Sequence, residues 1–411
     1  MLVSRGLLAG AVLALSLSGC DSGSAPGVQE DRILLGSVLA LNGPAQGLGQ
    51  GMRDGLEAAL EGRSVHGRRV EISFLDDSYR PVKAVESTQR LLDRPEGVFA
   101  MVGNVGTPTA KVTLPVLREQ GVPAVGFFTG AGILRPGDGG PILNFRASYV
   151  EEVGTVVGQA ISHGIAPAEV CAYVQNDAYG MAGIVGVRQA LQRNGAAPDL
   201  LALYDEILAR EGDQPVRNSI GPVGVYKRNT TEVEPGYRSL KTWEQRSGAA
   251  CRLVVTVGAY TNIAHFARFA RKSDDWTISA VSFTGADNFR ADLERYGVSG
   301  GILMTQVVPL LDSRLPMVQE AKRALGPRFG FVSLEGYIVG RMLLKLLEDA
   351  GPELDRQRFM ELARSARFNL GGIEIDFSRD GNQASRLVNL SQLTDSGWVE
   401  VESDFWARRD N

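Results

Sequence analysis

The side chains best placed to handle a ligand fall in one stretch, residues 101–152, where two glycine-rich turns each carry a hydroxyl: GNVGTPT at 103–109 and FFTGAG at 127–132. Thr107 before Pro108 reads as an N-cap and a first helical residue, since the hydroxyl can accept an orphan N–H and proline has none to lose. Free amide donors and the positive end of a helix dipole there would form an anion site. The same pattern is equally satisfied by a threonine that only caps its helix. Asp76-Asp77 reads as a pair of turn-capping carboxylates in preference to metal ligands. No G-x-S-x-G or H-E-x-x-H occurs, and the three histidines (His66, His163, His265) fall in a turn, a helix end and a helix flank. No nucleophile and base are therefore paired, so neither an enzyme nor a metal site is expected. The glycines at 47, 49 and 51 do not make a dinucleotide loop, because Asp54 stands where the frame needs its last glycine. No cofactor is expected.

Both turns must be held at the ends of strands. Short apolar runs (33–39, 70–75, 98–102) alternate with helical patterns, for example Met52, Leu56, Ala59 and Leu60. Short connections between them imply a parallel, doubly wound α/β sheet, in which ligands bind outside the carboxyl ends of the strands. The rhythm restarts after Tyr149 with strands expected at 170–174, 253–257, 280–283 and 302–308, so a second sheet begins there. Helices are expected at about 316–325, 332–350 and 355–366, and the tail alternates like antiparallel strands with a turn at Asp380-Gly381. A chain of 411 residues calls for about two domains, and a net charge of -4 gives no electrostatic reason to expect nucleic acid. Cys171 and Cys251 lie near the starts of two expected strands; a bridge between neighbours and two buried thiols both fit.

The N-terminus departs from this pattern. MLVSRGLLAGAVLALSLSGC combines one arginine, an apolar run too short to span a bilayer and small residues ending in Cys20. Leu17-Ser18-Gly19-Cys20 resembles the bacterial lipobox, which implies a signal peptide over 1–19, lipid on Cys20, and attachment to the cell-envelope membrane. Residues 20–31 read as a flexible linker, being mostly small and polar without periodicity.

Taken in order, LNGP, DDSY, GNVGTPT, FFTGAGILR, NFRASYVEE, QNDAYG, GVYKRNT, GAY, SFTGAD, TQVVP and SLEGY resemble the solute-binding proteins of ABC importers. The nearest likeness is to relatives of the leucine/isoleucine/valine-binding proteins, the type I periplasmic binding proteins. The resemblance implies two α/β lobes joined by a hinge of three crossing strands, near 145–147, 309 and 368–371. Lobe 1 would take 32–146 and 310–369, and lobe 2 would take 147–309 and 370–405. A periplasmic, monomeric protein would capture a small molecule and hand it to a membrane permease; a sensor or a carrier of apolar molecules would use the same fold. Thr107 matches the residue that grips a ligand carboxylate, and Phe128, Thr129 and Gly130 match the second contact loop. Tyr179 and Tyr260 match aromatic walls, Asp287 the acid that pairs with a ligand ammonium, and Leu48 a cover over the ligand side chain. Arg146 and Glu335 fall near the crossings, as an ion pair or as ligand contacts. Phe127-Phe128 and Gly130 depart from the amino-acid-binding pattern, and losing one hydroxyl contact to a charged ligand is worth about 1.5–3 kcal/mol. The extra apolar surface suits a bulkier or less polar ligand.

Overall fold

A computed structural model describes residues 25–212, 214–379, 381–402 and 404–407. The signal peptide, the lipobox with Cys20 and Asp380 lie outside these residues. Among the described residues no helix is long and apolar enough to cross a membrane.

The first sheet is built from β1 (Arg32–Leu39), β2 (Ser64–Val65), β3 (Arg68–Asp76), β4 (Ala100–Val102), β5 (Ala124–Val125) and β6 (Ile142–Leu143), in the order β2-β3-β1-β4-β5-β6. All its pairings are parallel except β2 with β3. Its crossovers are α1 (Gln46–Leu60), α2 (Pro81–Leu92) and α3 (Thr107–Glu119). Parallel strands buried on both faces need apolar residues throughout, and β4 and β5 are buried at every position.

The second lobe opens with α4 (Tyr149–Ser162), capped by Ser148 and Glu151 in a reciprocal capping box. Then come β7 (Val170–Gln175), α5 (Ala178–Arg193), α6 (Pro198–Ala209), β8 (Val223–Tyr226), α7 (Glu234–Ser247), β9 (Leu253–Val257), α8 (Tyr260–Ala270), β10 (Thr277–Ala280), α9 (Ala286–Arg295) and β11 (Ile302–Gln306). The strand expected over 280–283 ends at Ala280, its last paired residue, and Ser282–Thr284 forms one 3-10 turn. That turn aims Phe283 at Tyr79 and Phe128 of the first lobe. Cys171 and Cys251 form a disulfide with Cα atoms 5.7 Å apart, which settles the two readings left open by their spacing. His265 lies within α8 and not on its flank.

The chain returns to the first lobe with α10 (Pro316–Leu325), α11 (Phe331–Ala350) and α12 (Arg356–Ser365). α11 packs closely on α1, where a Cβ on Gly55 would sit 2.6 Å from the Tyr337 nitrogen. A hairpin follows, β12 (Arg367–Leu370) with β13 (Ile373–Asp376), and it docks on the same side through Met317 N–H to Gly371 O, 2.9 Å. The third crossing therefore comes later than 368–371. Residues 382–385 run beside the first crossing, with Ala384 N–H to Asn144 O and Ser385 N–H to Phe145 O both at 2.9 Å. β14 (Asn389–Thr394) and β15 (Gly397–Glu400) then add antiparallel to β11, completing a sheet ordered β15-β14-β11-β10-β9-β7-β8.

The expected linker is also shorter than 20–31. Gly27 N–H donates to Glu96 O at 2.6 Å, Gly27 O accepts from Leu34 N–H at 2.7 Å, and Val28 is buried. Burying one apolar side chain and pairing the backbone on both sides is enough to fasten 25–31 to lobe 1.

Candidate ligand cleft

The lobes face each other with their strand ends inward. Five predicted residues meet there. Thr107 and Thr129 hydroxyls hydrogen-bond each other at 2.6 Å, fully buried. Thr107 is not the N-cap of α3: Gly106 is, with φ +106°, and Thr107 and Pro108 are the first two helical residues. The threonine hydroxyl is thereby released from capping and turned to its neighbouring loop. The Phe128 ring lies 5.2 Å from that of Phe283 of the other lobe, tilted by 35°, and Tyr179 lies 4.6 Å from the same ring. Gly130 leaves room for Tyr149, since a Cβ there would stand 2.8 Å from that residue's ring, so no hydroxyl side chain fits at this position.

The other three predicted residues meet at a separate place, the edge where the lobes touch. Leu48 is fully buried against Gly285, and Tyr260 Oη accepts from Gly47 N–H at 3.2 Å. Asp287 does not face the ring-lined cleft. Its Oδ2 accepts from Phe331 N–H at 2.8 Å, at the start of α11 in the opposite lobe. Burial raises its pKa and that amide opposes the rise. A helix N-terminus stabilises a carboxylate, so the acid expected to pair with a ligand ammonium instead holds the lobes together.

Arg146 and Glu335, expected near the crossings as an ion pair or as ligand contacts, form the ion pair; Tyr149, Glu152, Ser282, Phe283 and Thr284, which complete the cleft, were not singled out, although they sit in the NFRASYVEE and SFTGAD motifs. Arg146, on the first crossing, ion-pairs with Glu335 of lobe 1 at 3.1 Å, both side chains being at most 3% exposed, and donates to Ser282 of lobe 2. Its guanidinium also lies 4.4 Å over the Phe128 ring. Glu152 accepts from Ser282 N–H at 2.7 Å and from Thr305 Oγ1 at 2.6 Å. Burial, with Glu152 nearby, pushes the Glu335 carboxyl up to about 7 against the pull of Arg146. Tyr149 and Tyr179 lie 5.3 Å apart, and burial raises both phenols, Tyr149 to about 12. The Tyr179 hydroxyl, Thr284 Oγ1 and Glu152 Oε1 are buried without a hydrogen-bond partner. Native interiors leave few such groups; Tyr179 is one of the clustered rings and Thr284 follows Phe283 in the turn that meets them. Asp76 and Asp77 cap their turn as expected: Asp76 accepts from Ser78 N–H at 2.9 Å and Asp77 from Tyr79 N–H at 2.7 Å.

A cavity of about 730 Å³ lies elsewhere, beside the crossing segments and lined by Pro309, Leu315, Leu387 and Trp406. It touches none of the clustered rings or unpartnered hydroxyls, so room alone does not locate the ligand site. Among the described residues no group of histidine, cysteine and carboxylate side chains could hold a metal ion.

Two doubly wound lobes, three crossings and a polar, aromatic cleft between opposed strand ends define a two-lobed solute-binding clamp. The comparisons narrow this: the chain belongs to the periplasmic binding protein family. The sequence profile of that family, described as "Periplasmic binding protein", matches residues 32–207. A possible leucine/isoleucine/valine-binding protein from Rhodopirellula baltica SH 1 shares 31% identity over 95% of this chain and 100% of its own, with a TM-score of 0.80. More distant structures share the fold. A fatty acid ABC transporter substrate-binding protein from Thermomonospora curvata has 16% identity over 93% and 96% of the two chains and a TM-score of 0.74. An ABC transporter solute-binding protein from R. palustris, in complex with 4-hydroxybenzoate, has 18% identity over 90% and 96% and a TM-score of 0.70. No curated protein sequence matches the chain significantly.

Proposed function

We propose that this protein is an extracytoplasmic receptor that captures a small solute between its lobes and delivers it to the permease of an ABC importer. Cys20 carries its lipid anchor, and it works as a monomer. The observation that carries this reading is the cross-lobe cluster of Phe128, Tyr149, Tyr179 and Phe283 with the unpartnered hydroxyls of Tyr179 and Thr284. Rings from both sides suit an apolar body, and buried hydroxyls suit a polar group on it. Each lobe supplies part of the contacts, so a ligand favours the closed arrangement by its differential affinity for it.

A solute with an apolar body and one polar end fits better than a simple α-amino acid. Asp287 is engaged by α11, and Gly130 removes a hydroxyl. The R. palustris relative holds 4-hydroxybenzoate and the T. curvata relative is named for fatty acids; both are acids with larger apolar bodies. A catalytic role has no support, since the buried carboxylates face Arg146 and no histidine lies in the cleft.

Calorimetry on the mature protein with leucine, 4-hydroxybenzoate and octanoate tests the reading. At a hundredfold excess over Kd, binding adds about 2.7 kcal/mol of stability. We expect heat and a raised Tm with one of the two acids and weaker binding of leucine. Tight leucine binding would overturn the ligand class, and no response across this panel and a wider set of amides and peptides would overturn the receptor role.

A further inference from the structure

We propose that Tyr79, which no sequence motif marks as a ligand residue, sets the breadth of ligand that the cleft accepts. The inference rests on the cleft being the ligand site. The DDSY turn is unusual in its backbone: Ser78 and Tyr79 both have left-handed conformations, φ +49° and +56°. A left-handed non-glycine residue is uncommon and is retained where surrounding contacts enforce it. Asp76 and Asp77 enforce it here by accepting from the Ser78 and Tyr79 amides and, through Asp76 Oδ2, from the Ser78 hydroxyl at 2.7 Å.

That conformation throws the Tyr79 ring over Gly106, the residue before Thr107, where no Cβ could fit beneath it. On its other side the ring meets lobe 2. It lies 6.1 Å from Phe283, the Arg228 guanidinium stands 6.0 Å above it, and its hydroxyl accepts from Gln175 Nε2 at 3.4 Å. Arg228 and Gln175 are in turn held by Asp177, the N-cap of α5. A lobe 1 side chain on a constrained turn thus occupies width between the Thr107 loop and the Phe283 turn. The intact ring therefore limits the ligand to a slender or planar apolar body, and truncating it would widen the gap between the two loops.

Two measurements on the mature protein test this. The first compares wild type, Tyr79→Phe and Tyr79→Ala for leucine, 4-hydroxybenzoate and octanoate, each beside a congener larger by one phenyl ring. Y79A should improve the affinity ratio of larger to smaller congener at least tenfold, whereas Y79F, which keeps the ring, should leave the ratio within twofold of wild type. The second is small-angle scattering without added solute: Y79A, checked as folded by thermal unfolding, should have a larger radius of gyration and Y79F should not. If wild type binds a probe and folded Y79A keeps both its ratio and its scattering, Tyr79 has no such role while the receptor reading stands. If wild type binds none of these probes, the proposed ligand class fails, the receptor reading passes to the wider set of amides and peptides, and unchanged scattering of folded Y79A would overturn the placement of Tyr79 as a spacer between the lobes.

Discussion

Two helices begin where the lobes meet, and they are used in opposite ways. α3 starts at Gly106 with no side-chain cap, and its first residue, Thr107, bonds Thr129 within its own lobe. α11 starts at Gly330, and the amide of its first residue is taken by Asp287 from the other lobe. The first arrangement survives when the lobes part; the second exists only while they touch. The contrast separates a preformed wall from a latch, and it divides the eight predicted site residues into two groups. Thr107, Phe128, Thr129, Gly130 and Tyr179 surround the cleft, while Leu48, Tyr260 and Asp287 lie along the closing edge.

The largest effect is expected where both lobes share one buried charge. Arg146→Met removes the cation between Glu335 and Glu152 and leaves their carboxylates uncompensated. Breaking a buried pair from one side destabilises by about 3–5 kcal/mol. Urea unfolding should show that loss, together with lost ligand binding. If stability changes by less than about 1 kcal/mol, Arg146 is not the common anchor of the two lobes.

Next in size is a dependence on pH. The Glu335 carboxyl is raised from its ordinary 4.5 to about 7 by burial. Between those values the folded protein holds a proton that the unfolded chain has released. Stability therefore falls as pH rises from about 4.5 to 7, by up to roughly 3 kcal/mol for this group. Asp77, raised to about 7 by burial, adds in the same direction. Glu335→Gln should flatten part of that slope in unfolding curves taken across the window, and an unchanged slope would show that other groups cause it.

The edge should behave differently from the cleft. Asp287→Ala loses a charge-assisted contact to a helix N-terminus, worth about 1–2 kcal/mol, and the loss falls on closure. Ligand affinity should drop roughly 5–30-fold, with the heat of binding read by calorimetry. A loss a hundredfold or greater would mean that Asp287 touches the ligand after all.

How far these groups could be read from the sequence follows from what holds each one. That the turns of Thr107 and of Phe128-Thr129 share one edge was legible because a parallel sheet brings strand-end turns together, whereas the expected capping role of Thr107 was not, since Gly106 takes it. The helices expected at 316–325, 332–350 and 355–366 lie within one residue of the bounds of α10–α12. Tyr79 was not, because two consecutive left-handed residues in DDSY depend on aspartate contacts that no propensity encodes. The partner of Asp287 lies 44 residues away at the start of α11, and only the relative placement of two lobes joins them. The third crossing, which the resemblance implied near 368–371, was not legible, because that stretch forms a hairpin whose turn at Gly371-Gly372 packs on Leu315 and Met317.

The smallest effect offers the finest test of wall against latch. Tyr260→Phe keeps the ring beside Leu48 and Gly285 and removes only the hydroxyl that accepts from Gly47 N–H, a half-buried bond between lobes. One such bond is worth about 0.5–1.5 kcal/mol, so affinity should fall roughly two- to tenfold. Urea unfolding of lobe 1 and of lobe 2 should be unchanged, because neither lobe uses that bond internally. Thr107→Val is its counterpart in the wall, since it removes the 2.6 Å bond to Thr129 inside lobe 1, leaving that hydroxyl only the Ala131 amide, and should lower unfolding stability as well as affinity. If Tyr260→Phe destabilises the fold as much as Thr107→Val does, the edge is part of the folded lobes and the division between wall and latch is wrong.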